Sequence, residues 1–75
     1  MAFDIDHDKI ELVLDIIKQR KNVHWLAITS GRYDAMGSVW AKSNEELHSM
    51  LAELASIEGV RNIETFICLR TIKMV

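Results

Sequence analysis

The sequence predicts a single α+β domain spanning residues 1–75, with elements in the order β-α-β-β-α-β. Three observations lead there. Two stretches carry apolar residues at helical spacing, four carry β-branched and aromatic residues, and no proline, linker or low-complexity run separates them.

The elements follow in order. Residues 2–6 alternate apolar and acidic, which makes a short strand with Phe3 and Ile5 on one face. Asp8 is a candidate N-cap with Glu11 three residues on, and Ile10, Val13, Leu14 and Ile17 recur along one helix face, so a helix is expected from about 8 to 20. Lys18, Arg20 and Lys21 then suit the negative end of its dipole. Val23 to Thr29 fits a strand, Ser30 to Tyr33 a turn, and Asp34 to Lys42 the returning strand of an antiparallel hairpin. Ser43-Asn44-Glu45-Glu46 is a capping box, and Leu47, Met50, Leu51 and Leu54 carry a second helix to about Ile57. Gly59 can end it in the left-handed conformation. Arg61 to about Met74 returns to strand character. Two right-handed crossovers with this order give a four-stranded antiparallel sheet with both helices on one face, the ferredoxin-like plait.

A sheet with one wet face should alternate apolar and polar residues, and these strands do not. Val23, Trp25 and Ala27 are expected to oppose Leu26 and Ile28. Val39 and Ala41 oppose Met36 and Trp40, and Ile63, Ile67 and Leu69 oppose Phe66, Cys68 and Ile72. Helices cover one face only, so the other face is expected to be covered too, by a second copy of the chain or else by another domain of a longer chain. Size points the same way. A 75-residue chain with 49% apolar residues and one cysteine has no internal disulfide to supplement a small core, which leaves oligomerisation.

Composition narrows the function. A net charge of −2 provides no basic field for phosphates, so direct nucleic-acid binding by this chain is not expected. There is no signal peptide and no apolar run of membrane-spanning length, so no membrane is expected and residence should be cytoplasmic. His7, His24 and His48 have no ligand spacing, so neither a metal nor a cofactor is expected. Cys68 lies in an apolar run, where a thiol behaves as a small hydrophobe. Glu45 and Glu46 belong to helix capping. No catalytic constellation emerges, and the chain is not read as an enzyme.

The hairpin tip, Thr29-Ser30-Gly31-Arg32-Tyr33-Asp34, is the most informative segment. It joins a flexible backbone to a hydroxyl, a guanidinium, a phenol and a carboxylate, although aspartates in turns often bond local amides instead. From Val23 to Asp34 the sequence resembles the "valine, apolar strand, Thr-Gly-x-Tyr-Asp" passage of effector-binding domains in the Lrp/AsnC family of transcription regulators. Asn44-Glu45-Glu46-Leu47, Ile57-Glu58-Gly59-Val60 and Glu64 to Leu69 continue the resemblance in order, from residue 2 to about 73.

The resemblance implies a dimer formed through facing sheets, often assembled further into octamers. It also implies a small effector, commonly an amino acid, bound between dimers near the hairpin and the last strand. By position Gly31, Tyr33 and Asp34 match the hairpin motif, and Glu64 and Thr65 the last-strand motif. Gly31 would let a ligand approach the backbone, Asp34 would accept from an ammonium group, and Thr65 would offer a hydroxyl. Arg32, at a variable position of the motif, is added as a partner for a carboxylate. This sequence departs from the pattern at Ser30, which separates Thr29 from Gly31, and at Ile63, where a hydroxyl residue is common. It also has no helix-turn-helix, so it is expected to be a stand-alone effector domain or one excised from a longer regulator. The alternatives are a small dimeric enzyme of the same fold and a purely structural oligomerisation domain.

Overall fold

A computed structural model describes residues 1–74. The chain forms β1 (Ala2–Ile5), a 3₁₀ turn (His7–Lys9), α1 (Ile10–Ile17), β2 (Val23–Ile28), β3 (Ala35–Val39), α2 (Asn44–Ala55) and β4 (Val60–Glu64). The strands make one antiparallel sheet in the order β2-β3-β1-β4. The core joins Phe3 and Ile5 of β1 and Ala35 of β3 to Val13, Leu14 and Ile17 of α1 and Leu54 of α2. Both helices therefore cover the same sheet face, as the ferredoxin-like plait requires.

α1 is shorter than the expected 8–20, and Asp8 does not cap it. The chain enters through the 3₁₀ turn, where the Lys9 amide donates to the Asp6 carbonyl at 2.9 Å, and no side chain caps either start. At the other end the Gln19 and Arg20 amides donate to the Ile16 and Ile17 carbonyls, three residues back, which tightens and closes the helix. Ile17 is its last apolar residue, so nothing beyond it anchors a further turn to the core.

α2 follows its start signal in part. The Ser43 hydroxyl accepts from the Glu46 amide at 3.1 Å, but the Glu46 carboxylate turns to Asn22, whose Nδ2 donates to it at 2.6 Å. α2 ends at Ala55, short of the expected Ile57, and Gly59, with φ +103°, shapes the following turn into β4, where the Val60 amide donates to the Ile57 carbonyl at 3.1 Å. A Cβ on Gly59 would stand 3.0 Å from Val13 Cγ2 and 3.1 Å from Lys9 Cβ. Gly31 has a similar φ, +108°, but a Cβ there meets nothing within 4 Å. The two glycines therefore predict different costs. Gly31→Ala should lose only the backbone penalty of about 1–2 kcal/mol, while Gly59→Ala adds crowding worth ~1–3 kcal/mol. Urea denaturation of the two variants checks the order.

Residues directly opposite in an antiparallel pair share a face. Phe3 opposes Ala35 and Ile63, which places all three toward the helices. Ala2 opposes Met36 and Glu64, which lie on the open face with Ala27. Trp25 opposes Ser38 on that same open face. Val23 corrects the sequence reading. The β2–β3 register shifts between Val23 and Trp25, so Val23 opposes Val39 and packs against the core instead of sharing a face with Trp25.

The last strand is the larger correction. It ends at Glu64, not near Met74, and residues 65–74 are irregular. Glu64 already pairs with Ala2, the first residue of β1, so the chain runs past the end of its partner strand. Strand character in the sequence cannot make a ladder where no neighbour supplies the other half. The returning strand β3 is likewise shorter than the expected 34–42, ending at Val39, although the Trp40 amide still donates to the Asn22 carbonyl at 2.9 Å.

Candidate functional site

The hairpin tip is held from inside the loop and from β1. The Thr29 hydroxyl donates to the Tyr33 carbonyl at 2.9 Å, and the Thr29 amide to the Asp34 carbonyl at 3.0 Å. The Asp34 amide donates to the Phe3 carbonyl at 2.9 Å, and its carboxylate Oδ2 accepts from the Ile5 amide at 2.8 Å. Asp34 therefore closes the ladder where β1 leaves the sheet. Its Oδ1 lies 3.7 Å from His7 Nε2. Gly31 and Arg32 are exposed and Tyr33 is half-buried. The Arg32 guanidinium carbon stands 5.6 Å from the centre of the Tyr33 ring, within cation–π range.

The structure brings Gly31, Arg32, Tyr33 and Asp34 together at one end of the sheet. Glu64 and Thr65 are elsewhere. Glu64 pairs with Ala2, while the hairpin closes over Ile5 at the opposite end of β1. Within one subunit the two halves of the sequence-derived site do not meet.

Charge near the tip includes residues that sequence reading did not single out. Arg61 of β4 donates to Asp4 Oδ1 at 3.0 Å and lies 3.7 Å from Asp6 Oδ1. The hydrogen bond from Arg61 holds the Asp4 carboxyl below its ordinary pKa, and the same bond raises that of Arg61. Lys9 and Glu58 form a second pair at 2.9 Å, whose hydrogen bond lowers Glu58 and raises Lys9. No local signal marks these pairs, because their members are 57 and 49 residues apart.

The sign of the pH dependence follows. Asp4 and Glu58 have folded pKa values below their unfolded ones. Their contribution is present above the unfolded carboxylate range and is lost as pH falls through the lowered values. Arg61 and Lys9 are raised, so their contribution holds until the alkaline range. Stability should therefore drop on acidification below the carboxylate range, and Asp4→Asn should flatten that slope. Both pairs are largely exposed, so the change will be modest. Urea midpoints across acidic pH measure it.

The open sheet face is the second feature. Trp25 is 55% exposed and Trp40 64%, and Met36 and Ala27 lie between their strands half-buried. Residues 65–74 pass beside this face, carrying exposed Phe66, Ile67, Leu69, Ile72 and Met74. Between tail and sheet runs a wide cleft of about 960 Å³, lined by Met1, Trp25, Trp40, Thr65, Phe66 and Cys68 among others. Cys68 is exposed in this tail, not set within a strand. Among the described residues no group of His, Cys, Asp and Glu side chains could hold a metal ion. Nor is any helix among them long and apolar enough to cross a membrane.

A plait with a glycine-bearing hairpin tip and an apolar sheet face that its helices leave uncovered suits a small ligand-binding module. The family comparison agrees. Residues 3–75 match the model of the Lrp/AsnC ligand binding domain, and the chain belongs to that family. It is a regulatory ligand-binding domain. No curated protein matches the chain.

Proposed function

We propose that the chain is a non-enzymatic effector-sensing and oligomerising module of transcriptional control, acting in the cytoplasm through a helix-turn-helix carried in cis or by a partner. The effector is a small molecule, an amino acid by chemistry. Gly31 admits it to the backbone, Arg32 pairs with its carboxylate, and Tyr33, Asp34, Glu64 and Thr65 complete the walls. The observation that supports this reading is the match of residues 3–75 to the Lrp/AsnC ligand binding domain. A hairpin at one end of the sheet and Glu64–Thr65 at the other make one pocket only when different copies bring them together. A homodimer through the open faces, with octamers built from such dimers, is the assembly that the bare Trp25–Met36–Trp40 surface favours. Each large side chain covered contributes about 1.5–3 kcal/mol, and several from each copy outweigh an association cost of ~4–15 kcal/mol.

Thermal shift against the common amino acids tests the ligand, since binding to the folded state raises the melting temperature by mass action. A rise with one or a few amino acids, abolished by Gly31→Val, supports the reading. No rise with any amino acid at millimolar concentration would leave a purely structural oligomerisation domain.

A further inference from the structure

A second cleft lies away from both the hairpin and the open face, between α2 and the start of β2. Its volume is about 230 Å³, below the roughly 300–1,000 Å³ of drug-sized sites, so an occupant is small. Its apolar lining is Val23, Met50 and Leu54, of which Leu54 is only 2% exposed. Its polar wall is Asn22, Glu46 and Ser49.

Asn22 organises that wall. Its Nδ2 donates both to the Glu46 carboxylate at 2.6 Å and to the Trp40 carbonyl at 3.0 Å, which fixes Glu46 against β2 and uses both amide hydrogens. What remains for a ligand is acceptor capacity: the second Glu46 oxygen, the Asn22 carbonyl oxygen and the Ser49 hydroxyl. The cation at the rim, Arg20, is already paired with Glu53. Two carboxylates against one guanidinium leave the cleft one unit negative.

We propose that this cleft binds a primary aliphatic ammonium, its stem on Val23, Met50 and Leu54 and its charged head on Glu46 and Asn22. The head makes charge-assisted bonds to a carboxylate whose position is already set. The source is a free amine or an amino acid, and these differ in whether a carboxylate can share Arg20 with Glu53. The cleft shares no lining residue with the hairpin tip.

The test is methyl NMR of the full chain titrated with 3-methylbutylamine, leucine and isovalerate. These share a branched stem and carry an ammonium, both groups and a carboxylate, respectively. The amine should shift the Val23, Met50 and Leu54 methyl signals saturably, and isovalerate should not. Leucine shifting the same signals as strongly would identify the amino acid as the source, and a weaker response the free amine. Glu46→Gln keeps the shape and removes the charge, and should weaken amine binding by about tenfold. Ser49→Phe, at an exposed position on the mouth, should block it in a chain that folds normally. The proposal is overturned by equal binding to the folded Glu46→Gln variant, by isovalerate binding as tightly as the amine, or by no saturable shift in the cleft. Shifts confined to residues 29–35 would likewise overturn it while leaving the hairpin reading intact.

Discussion

Replacing Trp25 with glutamate should turn the proposed sheet-face dimer into a folded monomer. Trp25 stands on the open face opposite Ser38, on the strand that carries Ala27, and is 55% exposed in a single subunit. The subunit itself therefore loses little when the ring is removed. In a two-fold symmetric interface the substitution counts twice. Losing about 2–3 kcal/mol of apolar burial per copy amounts to ~5 kcal/mol, or roughly 10³–10⁴-fold in the dimer dissociation constant. Burying two new carboxylates would add to this. Sedimentation velocity at micromolar concentration reads the result, and circular dichroism checks that the monomer is folded. Leu12→Glu is the informative comparison, because Leu12 is a 61% exposed apolar residue on the helical side. A monomer from Leu12→Glu and an intact assembly from Trp25→Glu would place the interface on the helices and refute the sheet-face dimer. On the proposed shared pocket, amino-acid binding at the hairpin should disappear with assembly in Trp25→Glu.

The order of elements was legible because helix and strand periods are local properties of sequence. Ile10, Val13, Leu14 and Ile17 announce a helix wherever the chain folds, and Ser43 three residues before Glu46 announces its start. Three features were not legible, each for a reason of register or distance. The irregularity at His24 moves Val23 to the core side, and nothing in Val-His-Trp reveals it, because a bulge is a property of two strands and not of one. The end of β4 at Glu64 depends on where β1 begins, 62 positions earlier, so an apolar, β-branched tail read as strand where no partner exists. Asp34 illustrates the same limit within the site. Its place in the hairpin motif suggested a ligand contact, yet its carboxylate also accepts from the Ile5 amide 29 residues away. The tip could be read as a turn from Ser30-Gly31, whereas the separation of Glu64 from that tip required the sheet register.

Phe3→Ala should bring the isolated domain close to unfolding. Phe3 is fully buried at the centre of the sheet, beside Ala35 on β3 and Ile63 on β4. Its ring occupies space that the small residues of β3 leave open. A Cβ built on Gly37 would come to 3.7 Å from Phe3 Cε2 and already stand 3.0 Å from the Trp25 carbonyl. No neighbour on β3 can therefore grow into the void, and the strands cannot approach without breaking their ladder. A Phe→Ala change in such a site costs about 3–5 kcal/mol. A domain of this length holds about 0.05–0.15 kcal/mol per residue, or ~4–11 kcal/mol in all, so most of its stability is at stake. Phe3→Leu, which keeps most of the volume, should cost less than about 1.5 kcal/mol. Urea denaturation of the two variants measures the difference. In the proposed dimer, which would stabilise only folded chains, the melting temperature of the Phe3→Ala variant should depend on concentration, the variant folding when concentrated and failing when dilute. A Phe3→Ala midpoint equal to the parent chain's would mean that the core tolerates the void, and the packing assigned to Phe3 would be wrong.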